Sequence, residues 1–232
     1  MGPSASDHGA SSPNGWNARL YWLWISYNTI AFVIVLTVGF VLALVGGNVL
    51  HLTLASSHVV VALVIATLGA ALFGGVLGSL QWRVVRERVP VPRKDWVTAN
   101  VGPALLAWLL VIMPAVIDAQ NTHENASTAY LLAASQSLAL GPLLGLSQSV
   151  VLRKVTRRWK WWIGANLASW LIVDAAVYLL AELLGGSGTL TAKGSIAEVY
   201  LTLIATTPLT GRALLWVLAP SVLIPPGKPS TP

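Results

Sequence analysis

One motif recurs three times in this chain, and each copy opens a long apolar run. A tryptophan is followed four positions later by an asparagine, at Trp24 and Asn28, Trp96 and Asn100, and Trp162 and Asn166. A small-residue segment closes the next run, with Gly74, Gly78 and Gln81, then Gly141, Gly145 and Gln148, then Thr207, Gly211 and Leu214. Each unit therefore holds two runs, which predicts three copies of one helical hairpin.

The apolar runs have the length of membrane spans. The chain is 55% hydrophobic and 9% charged, whereas soluble domains carry about 25% charged residues. About 20 apolar residues suffice for a transmembrane helix. Six spans are predicted at 24–46, 58–80, 96–117, 128–150, 162–184 and 196–218. The predicted fold class is an all-α polytopic membrane protein with six transmembrane helices, arranged as three like-oriented helical hairpins.

The predicted units are hairpins at 21–80, 81–150 and 151–219, with disordered cytoplasmic tails at 1–20 and 220–232. Their common orientation makes this a parallel repeat rather than an inverted one. Three such hairpins fit either a pseudo-threefold ring or a row. The small-residue segments favour close helix packing through Gly74, Gly78, Gly141, Gly145 and Gly211. Packing inside the bundle is the first interpretation, and homo-oligomerisation or docking of a partner subunit is the alternative.

Positive charge is concentrated in two loops that the hairpin model places on one side. These loops contain Arg83, Arg86, Arg88, Arg93 and Lys94, and Arg153, Lys154, Arg157, Arg158 and Lys160. Short loops rich in lysine and arginine remain cytoplasmic, so both termini are predicted to be cytoplasmic. The basic loops favour contact with anionic lipids at that face and not nucleic-acid binding. Tryptophans at the same level, including Trp24, Trp96 and Trp162, are interpreted as an interfacial belt.

The buried amides are the first candidates for a functional site. Asn28, Asn100 and Asn166 lie one turn inside their tryptophans, and Gln81 and Gln148 end the preceding helices. An amide in an apolar medium needs a partner. One interpretation is a structural clamp between asparagine and glutamine on consecutive helices. The other is a polar ring that binds a small polar or anionic solute.

Two charged residues, Asp174 and Arg212, lie well inside predicted spans rather than near their ends. Charge inside a membrane is costly and marks a candidate functional position. The two residues could pair, since they lie on neighbouring helices. Arg212 could instead extend to the interface, and Asp174 could serve a proton or a solute.

No enzyme, cofactor or metal site is indicated by the sequence. The chain has no cysteine, and the glycine motifs of nucleotide-binding proteins are absent. His51, His58, Asp118, His123 and Glu124 are grouped by topology on the outer side, but their spacing matches no metal-binding motif. They are interpreted as solvated loop residues.

The segment Gly78-x-x-Gln81-Trp82-x-x-x-Arg86, followed by Trp96-x-x-x-Asn100, resembles a repeat of uncharacterised bacterial multi-pass membrane proteins. The similarity covers residues 74–170, with a degenerate third copy at 207–216. The chain departs from that pattern at Ser149, where the family has tryptophan, and at Leu214, where it has glutamine. The resemblance implies the inner, cytoplasmic membrane of a bacterium and no biochemical activity.

Two functions follow as hypotheses. The first is a protein that binds or transports a small solute within its helical bundle, using the amides, Asp174 and Arg212. The alternative is a non-catalytic membrane subunit or scaffold that docks a partner membrane protein through its small-residue faces and basic loops.

Overall fold

The computed structural model describes residues 13–52, 57–112, 126–183 and 206–224, and this part of the chain is helical. The helices are α1 (Pro13–Leu52), α2 (Ser57–Val85), α3 (Arg93–Ala107), α4 (Ala126–Leu152) and α5 (Trp159–Leu183). A sixth helix, α6, is described over 206–217. A π-helical turn, Trp108–Ile112, continues α3, and a 3-10 turn, Pro220–Val222, follows α6. The predicted all-α class is therefore confirmed for the described part of the chain, which contains six consecutive helices.

Helices α1, α3 and α5 begin before the tryptophans of their motifs, at Pro13, Arg93 and Trp159. Helix α3 begins at Arg93 after Pro92, whose extended backbone (φ −60°, ψ 135°) ends the preceding loop. Asp95 in its first turn interacts favourably with the partial positive charge of a helix N-terminus. Helix α1 begins at Pro13, so residues 13–20 of the predicted N-terminal tail are helical. Residues 1–12 lie outside the described part.

The segment after α6 is also ordered, contrary to the predicted tail at 220–232. Its backbone pairs with the α4–α5 loop, where Arg157 N donates to Val222 O (3.1 Å) and Ile224 N donates to Val155 O (3.0 Å). The buried Thr156 hydroxyl donates to Val217 O at 2.6 Å. Residues 217–224 thus form a strap across the α4–α5 loop. Residues 225–232 lie outside the described part.

The helices close a ring rather than forming a row. Consecutive helices from α1 to α5 pack against each other, and α6 contacts α5 through the edge-to-face packing of the Trp161 and Trp216 rings, whose centroids are 5.3 Å apart. Helix α6 also contacts α1, because the Trp24 indole donates to Thr210 Oγ1 at 3.0 Å. The contact between the last helix and the first decides between the two arrangements that the repeats allowed.

The spacing of small residues that recurs in the three repeats has the same structural role in each of them. A Cβ atom added at Gly78 would lie 3.0 Å from Val97 Cα on α3, and one at Gly145 would lie 3.1 Å from Ile163 Cα on α5. A Cβ atom at Gly211 would lie 3.0 Å from the Trp24 ring on α1. Each even-numbered helix therefore places its glycine face against the next odd-numbered helix, α6 against α1 included.

The main core lies at the end of the ring that carries the α2–α3 and α4–α5 loops, called here the basic end. It contains the three motif tryptophans together with loop residues such as Val89 and Val91. The Trp82 indole fastens the α2–α3 loop by donating to Val91 O at 2.8 Å. Ion pairs at this end join Arg19 to Glu87 (3.4 Å) and Lys154 to Asp95 (3.5 Å).

Within the described residues, one helical stretch combines the length and the apolar composition needed to cross a bilayer. This stretch, Thr67–Val85, has a mean hydropathy of 1.3, and 33% of it is buried in the protein. The apolar stretch Ala139–Leu152 is shorter.

Candidate functional site

The tryptophan–asparagine motif is a local hydrogen-bonded unit with the same geometry in all three copies. The asparagine Nδ2 donates to the backbone carbonyl of the tryptophan four residues earlier, at 2.7 Å for Asn28, 2.8 Å for Asn100 and 3.0 Å for Asn166. A spacing of four places the two residues on one helix face. The carboxamide is thereby held in place, with its Oδ1 left to accept another hydrogen bond.

Two glutamines donate to the Oδ1 atoms of Asn28 and Asn100, and their bonds link four helices. Gln81 Nε2 on α2 donates to Asn28 Oδ1 on α1 at 2.8 Å. Gln148 Nε2 on α4 donates to Asn100 Oδ1 on α3 at 2.9 Å and to Gln81 Oε1 at 3.1 Å. The clamp between asparagine and glutamine that the sequence predicted is therefore present within the first and second hairpins. The bond between Gln81 and Gln148 joins those hairpins.

The motif tryptophans extend this network. Trp162 Nε1 on α5 donates to Gln148 Oε1 at 2.7 Å, and Trp24 Nε1 donates to Thr210 Oγ1 on α6. The Trp24 and Trp162 rings meet edge to face, with centroids 5.8 Å apart. Four amides, the Trp24 and Trp162 indoles and Thr210 thus form one buried cluster, called here the amide network. Trp96 Nε1 differs from the other two indoles because it has no hydrogen-bond partner in the described part of the chain.

The interfacial interpretation of the motif tryptophans is wrong. Trp24, Trp96 and Trp162 are at most 1% exposed. Tryptophan favours an interface when its N–H needs a wet partner, but Trp24 and Trp162 find their acceptors inside the ring. The exposed tryptophans at the basic end are instead Trp22, Trp161 and Trp216.

The unequal bonding of two indoles gives a matched test. Trp162→Phe and Trp96→Phe remove similar ring volume, but only Trp162→Phe leaves the buried Gln148 Oε1 without its indole donor. We expect Trp162→Phe to lower the free energy of unfolding by roughly 1–3 kcal/mol more than Trp96→Phe. Thermal unfolding of the two variants in the same detergent measures the difference. Equal losses would contradict the assigned hydrogen bonds.

The third hairpin departs from the other two along its inward face. Leu214, which is buried, occupies the position of Gln81 and Gln148. The buried hydroxyls of Thr206, Thr207 and Thr210 on α6, called here the threonine face, replace Leu140, Gly141 and Leu144 of the second hairpin. Sequence reasoning missed this face, although the alignment of the repeats contains the signal. A single threonine is unremarkable, but three threonines at positions where the second hairpin has leucine or glycine show that this helix face has become polar.

The two charges inside the predicted spans do not meet. The Arg212 guanidinium is exposed and lies over the Tyr21 ring of α1, with Cζ 5.2 Å from the ring centroid. Asp174 is half-buried on α5, where its interactions are with groups other than Arg212. Both residues lie in the described part of the chain, and no ion pair joins them. Asp174 occupies the position that Trp108 holds in the second hairpin.

The chemistry of the amide network is that of neutral hydrogen-bonding groups. Its amides, indoles and hydroxyl can orient a polar group but carry no charge, and most of their hydrogen bonds are made within the network. Among the described side chains, no group of three or more His, Cys, Asp or Glu could hold a metal ion. The outer residues Asp118, His123 and Glu124 lie outside the described part, and nothing is described of the His51 and His58 side chains.

Comparison with known proteins assigns no relatives to this fold. No protein-family model matches the chain, and neither the curated proteins nor the solved structures give a significant match.

Proposed function

We propose that the chain is a six-span integral membrane protein whose ring of hairpins binds a small polar solute. The membrane part of the proposal is supported by the outward face of α5. That face exposes large apolar side chains along its whole length, from Trp161 (64% exposed) through Leu171 and Leu179 to Leu183 (83%). The 22 residue steps between its ends correspond to about 33 Å of helix, which matches the roughly 30 Å thickness of a hydrocarbon core.

Helix α2 supports the same setting. Val60, Val64 and Leu68 are each more than half exposed and follow one another at four-residue spacing on one face. Large apolar patches on a protein surface mark contact with another apolar phase. The basic loops at one end would then face the cytoplasm.

The threonine face carries the solute part of the proposal. Polar groups inside a membrane protein are costly unless they are bonded, and they mark functional positions. Thr206, Thr207 and Thr210 are all buried, and Asp174 lies on α5, the other helix of the same hairpin. Thr210 Oγ1 accepts a hydrogen bond from the Trp24 indole. A solute bound at the threonine face would therefore contact the amide network on the side of the third hairpin. The amides then border the site but do not bind the solute, because they are hydrogen-bonded to one another.

The alternative of a docking subunit has less support. Its predicted contact surfaces were the small-residue faces and the basic loops, but the neighbouring helix of the same chain already packs against Gly74, Gly78, Gly141, Gly145 and Gly211. Of the two predicted surfaces, only the basic loops then remain for a partner.

The proposal is tested on protein purified in mild detergent, by native mass spectrometry and by thermal shift across a panel of small polar solutes. We expect a co-purified small molecule or a solute that raises the melting temperature. Thr207→Val should abolish that effect, because it removes a hydroxyl with little change of shape. Thr98→Val, at an exposed position of α3, is the matched control. A bare monomer that no solute stabilises would contradict the solute site.

A further inference from the structure

Three residues at the basic end form an exposed aromatic and cationic patch where α5 meets α6. The Trp161 and Trp216 rings pack edge to face, with centroids 5.3 Å apart and an interplanar angle of 81°. They are 64% and 43% exposed, so this pair does not serve the core. The Arg158 guanidinium lies over the Trp216 ring, with Cζ 4.4 Å from the ring centroid. Arg158, Trp161 and Trp216 are called here the seam patch.

Arg158 is held in position while most of its donors remain available. Its Nη1 donates to Trp216 O at 3.3 Å, and the stacking on Trp216 fixes the plane of the guanidinium. A guanidinium carries five N–H donors in a rigid fork that matches phosphate oxygens. Neither of the two ion pairs within the described residues uses Arg158. Lys160 adds a second, exposed cation two residues away.

The surface next to the seam patch is apolar along α5. Leu167, Leu171 and Leu179 are exposed and continue from Trp161 away from the basic end. A ligand that fits both parts needs an anionic head for Arg158 and a long apolar body for the leucines. A free phosphate or a soluble anion would use only the first part.

A second aromatic and cationic cluster at this end, on the α2–α3 loop, lacks these properties. The Arg86 guanidinium lies over Trp82 at 4.7 Å, but Trp82 is half-buried and its N–H is committed to Val91 O. That tryptophan fastens a loop. The seam patch is the one of the two that presents an open aromatic pair.

We propose that the seam patch binds the headgroup of an anionic phospholipid, with Arg158 on the phosphate and the acyl chain along the exposed leucines of α5. Trp161 and Trp216 lie at the level of the glycerol and ester groups, where indole rings are favoured. The proposal rests on the membrane setting proposed above. Lipid bound there would brace the seam between α5 and α6, next to the strap formed by residues 217–224.

The test is native mass spectrometry of detergent-purified protein titrated with phosphatidylglycerol or with zwitterionic phosphatidylcholine. We expect the wild type to prefer phosphatidylglycerol and Arg158→Gln to weaken its binding about fivefold, the effect expected for one cation near an anionic lipid surface. Glutamine can still donate to Trp216 O, which protects the fold. Trp161→Ala provides a second variant and should also weaken binding.

Matched controls test whether lipid binding depends on the seam patch itself or on any exposed cation or indole at this end. Arg153→Gln removes one exposed cation from the same loop, and Trp22→Ala removes an equally exposed indole from α1. Both should retain the lipid preference, and inorganic phosphate should not displace the lipid. Equal losses for Arg153→Gln and Arg158→Gln, or displacement by phosphate, would overturn the proposal.

Failure of the membrane setting gives a different result. If alkaline carbonate released the wild-type chain from membranes, the proposed function itself would fail. If the chain stayed in the membrane but bound both lipids equally, only the lipid site would be wrong.

Discussion

Gly74→Ala should destabilise the protein sharply, although it adds a single methyl group. The added Cβ would lie 2.5 Å from Val101 Cα and 2.7 Å from Asn100 O, both of them backbone atoms of α3. Side chains can rotate away from a clash, but the backbone of a packed helix can move only if the whole interface opens. We expect a loss of about 1–3 kcal/mol or more in the free energy of unfolding, measured by thermal unfolding in detergent.

The neighbouring glycine is the control for this variant. A Cβ atom added at Gly75 would have no atom within 4 Å, so Gly75→Ala meets no steric obstacle. Alanine is favoured over glycine in a helix by roughly 0.5–1 kcal/mol, so Gly75→Ala should leave stability unchanged or raise it. The two substitutions are adjacent and chemically identical, yet only Gly74→Ala is expected to lower stability. Stability equal in both variants would show that α2 and α3 do not pack as described.

Gln148→Leu should have the largest effect of any change in the amide network. Gln148 takes part in three hydrogen bonds of this network. Its Nε2 donates to Asn100 Oδ1 and to Gln81 Oε1, and its Oε1 accepts from Trp162 Nε1. Leucine fits the shape of the site, since Leu214 fills the equivalent position in the third hairpin. The cost is therefore that of the orphaned partners. Three buried groups at roughly 1–3 kcal/mol each give a loss of about 3–9 kcal/mol, read from equilibrium or thermal unfolding.

A double-mutant cycle distinguishes a connected network from independent bonds. Gln81→Leu should cost less than Gln148→Leu, because Gln81 donates only to Asn28. The double variant should cost less than the sum of the single variants, since each single change orphans a group that the other also removes. Ser147→Ala, one residue from Gln148, controls for local helix effects. Strict additivity would contradict the bond between Gln81 and Gln148.

Part of this architecture could be predicted from the residues alone. The 67-residue offset between Gly74 and Gly141 indicates equal packing faces, because close helix contact in an apolar phase depends on missing side chains. The pairing of Gln81 with Asn28 was predictable for a similar reason, since a buried amide must find a partner at its own depth. Both inferences use constraints that act within one hairpin.

The burial of the motif tryptophans could not be predicted. A tryptophan beside charged loops fits an interface as well as a core, and the choice depends on whether its N–H finds an acceptor inside. For Trp162 that acceptor is Gln148, on a different helix, and for Trp24 it is Thr210, at the far end of the chain. Such acceptors become visible only when the hairpins are assembled.

Closure of the ring was likewise open, because a row and a ring use the same contacts between consecutive helices. The contacts of Gly211, Thr210 and Arg212 with α1 decide the matter, together with the contact between the Trp24 and Trp162 rings. In the third hairpin the glutamine is replaced, so the repeat itself gave no indication that α6 would bond to Trp24.

The closed ring is tested most directly by cross-linking α6 to α1. The chain has no cysteine, so Tyr21→Cys combined with Arg212→Cys introduces the only thiol pair. A short thiol-reactive linker followed by peptide mass spectrometry should join positions 21 and 212 within one chain. It should not join positions 93 and 212, which a ring places on separate helices across the bundle. A cysteine pair at positions 19 and 87, whose native side chains are 3.4 Å apart, serves as the positive control. Linkage of 19 to 87 without linkage of 21 to 212 would contradict the ring.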